Sequence, residues 1–110
     1  MNNEKKTALE QRATKGARLF SPSAARNRDP IRNVLLEEFP GPAKILEVGG
    51  GSGEHAVHFA GAAPNLQWRT GDPDETARSS IAAWIKEASL PNLEGPHSID
   101  VMADNWTAAV

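Results

Sequence analysis

The chain has 110 residues and no cysteine, which bounds it at one small domain and excludes a disulfide scaffold, thiolate metal sites and a cysteine nucleophile. Hydrophobic residues make up 39% and charged residues 24%, with no apolar run near the roughly 20 residues that a membrane span needs. The net charge of −2 is unevenly spread: residues 1–33 carry eight Lys or Arg against three acids, and the remainder carries four against eleven.

Residues 1–20 read as a basic N-terminal arm whose apolar positions support no more than a frayed helix. The arm lacks the apolar core of a secretory signal, and Glu4 and Glu10 argue against a transit peptide, so a cytoplasmic location is the expectation. A basic arm attracts anionic partners. With no zinc finger, aromatic RNA-binding signature or dense basic run, a solvated terminus is expected rather than a nucleic-acid contact.

Ser21-Pro22-Ser23 breaks the arm. Asp29-Pro30 then predicts a helix start, with Asp29 as cap and Pro30 at the first position, and Ile31, Val34, Leu35 and Phe39 follow at helical spacing up to Pro40-Gly41-Pro42. Residues 43–48 read as a buried strand, closed by Gly49-Gly50-Gly51-Ser52-Gly53. A helix is predicted over 54–62, a strand over 66–70, a punctuated loop over 71–74 and a helix over 75–89 with Ala77, Ile81, Trp84, Ile85 and Ala88 on one face. Leu90-Pro91-Asn92 ends it, and Ser98-Ile99-Asp100-Val101 reads as a third strand. This order predicts an α/β, Rossmann-like parallel sheet with right-handed crossover helices. Ligands of such sheets bind beyond the carboxyl ends of the strands, where Glu47 with the glycines, Asp72 and Asp100 are expected.

A glycine cluster alone is equally a mobile turn; between a buried strand and a helix it is a candidate ligand loop, because glycine lets a ligand approach bare backbone. A phosphate-binding loop would end in Gly-Lys-Ser/Thr, and Gly53 is followed by Glu54. Residues 51–56 match the dinucleotide pattern G-x-G-x-x-A, with Asp72 placed as a ribose-binding acid. Against it, Glu54 enters the helical turn where a pyrophosphate would sit, and Glu47 favours a ligand bearing an ammonium or sulfonium charge.

The stretch Ile45-Leu46-Glu47-Val48-Gly49-Gly50-Gly51-Ser52-Gly53 resembles motif I of class I S-adenosylmethionine (SAM) dependent methyltransferases. Residues 21–31, 53–60, 72–74 and 80–85 are similar to the methyltransferase-like twenty-six family, so the likeness runs from residue 21 to about 101. The resemblance implies that residues 21–110 form part of a SAM-binding domain. It implies Glu47 at the methionine amino group, Gly49, Gly51 and Gly53 against the cofactor, Asp72 at the ribose hydroxyls, and Asp100 and Val101 at the adenine. A full sheet of that superfamily has seven strands, so the pattern reads as truncated after the third, with self-association or a partner expected over the third strand's exposed edge. The implied activity is methyl transfer from SAM to an acceptor that no residue identifies, and no catalytic base is named. An NAD-type nucleotide-binding domain and a non-catalytic cofactor-binding or regulatory fragment remain as alternatives.

Arg26, Asn27 and Arg28, expected just ahead of the capped helix, are candidates for substrate or cofactor contact or a solvated basic surface. His55, near the glycine loop, is a candidate for the same contact, whereas His58 reads as structural; the two lack the further ligands of a zinc site, and no metal is expected. Trp68 and Trp84 read as packing residues.

Overall fold

Alternation along Leu66–Gly71 sets the sheet: Leu66, Trp68 and Thr70 are buried, while Gln67 and Arg69 face outward. In the computed structural model, which describes residues 13–109, the elements run β1 (Ala13–Lys15), β2 (Arg18–Phe20), α1 (Pro22–Glu38), β3 (Ala43–Glu47), α2 (Glu54–Ala62), β4 (Leu66–Gly71), α3 (Glu75–Ala88) and β5 (Leu93–His97), with a short 3-10 turn at Trp106–Ala109. Strands β3, β4 and β5 form one parallel sheet in that order, with Glu47 opposite Thr70. The core lies between the sheet and α2, where Ala56, Phe59 and Ala60 meet Leu66, Trp68 and Leu93. Among the described residues no helix covers the other face of the sheet, which has a depression of about 620 Å³ lined by Lys44, Leu46, Gln67, Arg69 and Glu94 among others, and an Arg69–Glu94 ion pair of 2.8 Å. Among the described residues no helix is long and apolar enough to cross a membrane.

Four expectations are corrected. Residues 13–20 form an antiparallel hairpin rather than a frayed helix; residues 1–12 of the basic arm lie outside the described residues. The hairpin is decided by tertiary packing, because Leu19 is buried and Phe20 meets the Trp84 ring edge-on at 5.1 Å.

Helix α1 starts at Pro22, not Pro30. Ser21 caps it, its Oγ accepting the Ala24 N–H at 3.3 Å, and Pro22 takes the first turn. Pro30 is carried inside the helix, where its missing N–H removes the usual partner of the Arg26 carbonyl; both residues are exposed, which is where a helix tolerates that loss. Arg26, Asn27 and Arg28 are therefore helical residues rather than a segment preceding a helix.

The third strand is Leu93–His97, five residues upstream of the expected one. Gly95-Pro96 reads as a break, but β5 lies at an edge of the sheet, where a missing donor is tolerated. Arg69 pairs with Glu94 and Gly71 with His97, so β5 carries one extra residue as a bulge at that dipeptide. Strand β3 is an outer strand too, so among the described residues the three-stranded sheet has two unpaired edges rather than the third-strand flank alone.

The turn after α3 is closed by Asn92, whose Nδ2 donates to the carbonyls of Ala60 (3.0 Å), Ala63 (3.2 Å) and Leu66 (2.8 Å). These carbonyls lie at the end of α2 and the start of β4, where those of Ala60 and Ala63 also accept the N–H groups of Ala63 (3.3 Å) and Leu66 (3.0 Å). Asn92→Ala is expected to cost about 2 kcal/mol, read as a lower urea midpoint at unchanged slope.

Candidate functional site

Parallel strands bring Glu47, at the end of β3, and Asp72, just past β4, to the same edge of the sheet. Between them the chain turns through Gly49 at φ 66 and Gly51 at φ 64, left-handed conformations that favour glycine. Gly50 is wedged against β4: its N–H donates to the Gly71 carbonyl at 2.8 Å, and a side chain there would strike Thr70 Oγ1. Gly53 does a different job. It is buried against Ile81 and Trp84 of α3, where it allows the two helices to approach, and it does not line the cleft.

Glu47 sits on the helix-covered face of the sheet. Its Oε1 accepts the Thr70 hydroxyl at 2.6 Å and the Trp68 Nε1–H at 3.4 Å, while no described residue donates to its Oε2. Burial pushes the Glu47 carboxyl above its ordinary value, and the neighbouring Asp72 charge adds to the rise. The bonds from Thr70 and Trp68 and the field of His55 act the other way and offset part of it. Asp72, 9% exposed, spends one oxygen on each side of the turn: Oδ2 accepts the Gly51 N–H at 3.0 Å and Oδ1 the Asp74 N–H at 2.9 Å. An ionised carboxylate has about four acceptor sites, so each oxygen retains capacity for a further donor. Asp74 in turn caps α3 through the Ala77 N–H at 2.8 Å.

A cleft of about 160 Å³ opens beside this turn. Gly49, Gly50, Gly51 and Ser52 form one wall, Ser21, Ser23, Ala24 and Asn27 of the α1 start form the other, and His55 closes one side. A ring nitrogen of His55, Nε2, lies 3.3 Å from the Ala24 carbonyl, and His58 Nε2 lies 3.1 Å from Asp29 Oδ1 on α1. Arg26 and Arg28 are exposed and outside the cleft lining. Asp100 and Val101 follow β5 on an exposed loop; the Asp100 carboxylate accepts the Met102 N–H at 3.0 Å, and its carbonyl accepts the Ala103 N–H at 2.9 Å. Buried Ile99 ties that loop to the sheet by filling the space beside Gly71.

Sequence reasoning gave no site role to Thr70 or to the serines at positions 21, 23 and 52, and read Trp68 as a packing residue only, without its bond to Glu47. Thr70 was within reach of a simple signal: Leu66, Trp68 and Thr70 alternate in register with Ala43, Ile45 and Glu47, which puts a hydroxyl opposite the carboxylate.

A parallel three-stranded sheet, crossover helices on one face and a glycine turn at the strand ends define a Rossmann-like, class I methyltransferase-like fold. The chain belongs to the family described as "Protein of unknown function (DUF938)", whose profile matches residues 18–110. Among solved structures it is similar to coclaurine N-methyltransferase bound to N-methylheliamine and S-adenosylhomocysteine (SAH), at 18% identity and a TM-score of 0.56. The match covers 69% of this chain, which spans 23% of the length of that enzyme.

Proposed function

We propose that this chain is the SAM-binding portion of a methyltransferase akin to the methyltransferase-like twenty-six family, transferring a methyl group from SAM to an acceptor nucleophile. One observation carries the reading: two carboxylates on adjacent strand ends flank a glycine turn that is itself held by one of them. The donor set suits SAM. Glu47 Oε2 is unclaimed by described residues and suits an ammonium group, while the oriented Asp72 oxygens suit a ribose diol. Around Gly49 a side chain would meet nothing within 4 Å, so bare backbone faces open space. The cleft is below the roughly 300–1,000 Å³ of whole small-molecule pockets, which suits one end of an extended ligand. Asn27 and His55 line it, and the family resemblance assigns the adenine to Asp100 and Val101, which lie outside the cleft lining on the exposed loop after β5. Arg26 and Arg28 receive no role.

When bound, SAM supplies a methyl group already activated by its sulfonium centre; the chain's residues bind and orient it. A dinucleotide fits the site less well. The start of α2, where a pyrophosphate would sit, carries the buried Glu54 carboxylate, and Gly53 is consumed by helix packing.

Calorimetric titration with SAM, SAH and NAD tests the reading. Binding of SAM and SAH without NAD is expected, and a preference for NAD overturns the assignment. SAM binding with no methyl transfer to any acceptor in a cell extract identifies a cofactor-binding or regulatory unit instead.

A further inference from the structure

Glu54 is 8% exposed, and its carboxylate is engaged inside the protein. Its Oε1 accepts hydrogen bonds from the Ser21 N–H, at the cap of α1, and from the Ser52 hydroxyl at 2.9 Å. The chain of buried bonds continues. The Ser80 hydroxyl donates to the Ser52 carbonyl at 2.6 Å, the Leu19 N–H donates to Ser80 Oγ at 2.8 Å, and Trp84 Nε1–H donates to the Leu19 carbonyl at 3.0 Å. Thus Glu54 of α2 grips Ser21, Ser80 and Trp84 of α3 grip Leu19, and Ser52 of the glycine turn is bonded to both Glu54 and Ser80. A buried carboxylate is costly unless donors satisfy it, so its presence here selects for this arrangement of N–H and O–H groups over simple packing.

The cleft depends on that grip. Its two walls come from chain segments far apart in sequence, Ser21–Asn27 and Gly49–Ser52. Among the described residues they are joined at the cleft by the Glu54 bonds and by His55 against the Ala24 carbonyl. We propose that Glu54 is a positioning residue that straps residues 19–21 to the glycine turn, so that the first turn of α1 becomes a wall of the SAM site and affinity depends on the strap. This inference rests on the SAM-binding reading above.

The test compares Glu54→Ala and Glu54→Gln with wild type by SAM titration and by amide hydrogen exchange of the ligand-free protein. In Glu54→Ala, SAM affinity is expected to fall about tenfold while exchange at Leu19 and Ser21 accelerates by at least about tenfold and the buried amide of Trp68 keeps its protection. Glu54→Gln is expected to stay within about threefold of wild type on both readouts, since an amide oxygen accepts the same two bonds. Wild-type affinity in Glu54→Ala with Leu19 and Ser21 released overturns the inference, as does an affinity loss accompanied by equal loss of protection at Trp68. Should Glu54→Ala fail to fold, Ser80→Ala cuts the same strap at Leu19 and Ser52 and is held to the same outcomes. If wild type binds no SAM, the methyltransferase reading fails and exchange decides the strap: Gly50 and Gly51 amides released together with Ser21 in Glu54→Ala support the coupling, and unchanged glycine amides overturn it.

Discussion

Replacing Glu47 by Gln is expected to weaken SAM binding by about two orders of magnitude while raising the melting temperature of the ligand-free protein at neutral pH. The two effects have one cause. Losing the carboxylate leaves a ligand ammonium desolvated without its counter-charge, a loss of about 2–5 kcal/mol for a buried pair. In the ligand-free fold, burial disfavours the ionised carboxyl and pushes it above its ordinary value of 4.5. A carboxyl with a raised folded pKa opposes folding at higher pH, and that opposition fades as pH falls through the raised value and is gone below the unfolded one. The Glu47 contribution to ligand-free stability therefore rises with acidification, whereas SAM affinity falls over the same window. Gln keeps the acceptor for the Thr70 hydroxyl, removes the charge, and is expected to flatten both dependences. Thermal melts and titrations from neutral pH downward check the prediction. A Glu47→Gln protein that binds SAM normally would remove Glu47 from the site.

Asp72→Ala is expected to weaken SAM binding by about 100-fold and to lower stability by about 2 kcal/mol. Ribose hydrogen bonds account for only part of this. Because Asp72 holds both the Gly51 and the Asp74 N–H groups, its loss also frees the glycine turn and loosens the entry to α3. Asp72→Asn is expected to recover a fraction of the loss: its amide oxygen can serve one of the two N–H donors, and its NH2 then confronts the other. Calorimetry gives the affinity and urea unfolding the stability. Unchanged SAM affinity in Asp72→Ala refutes its assignment.

Local signals were enough for much of the sheet. Strand β3, the glycine turn, α2, β4 and α3 lie within a residue or so of their expected positions, because hydrophobic runs and the glycines and prolines that punctuate them act over a few residues. The errors share a physical origin in competing local signals. Ser21-Pro22 and Asp29-Pro30 are both valid helix starts, and Ser21 prevails because its N–H is held from outside by Glu54. Gly95-Pro96 is a breaker by composition and a bulged edge strand by position, since the edge relieves proline of a donor it lacks.

The same distinction divides the candidate site. Sequence alone determined that a glycine turn would separate a strand from a helix, and that Glu47 and Asp72 would stand at strand ends, because each of these is a short-range property of the chain. Only the tertiary structure decided that Thr70 holds Glu47, that Asp72 fastens Gly51, and that α1 supplies a wall of the cleft. Those contacts join residues 21 to 33 positions apart, such as Gly51 to Asp72 and Ser21 to Glu54. No local periodicity encodes such pairings; they exist because burial leaves polar groups on different elements with no partner but one another.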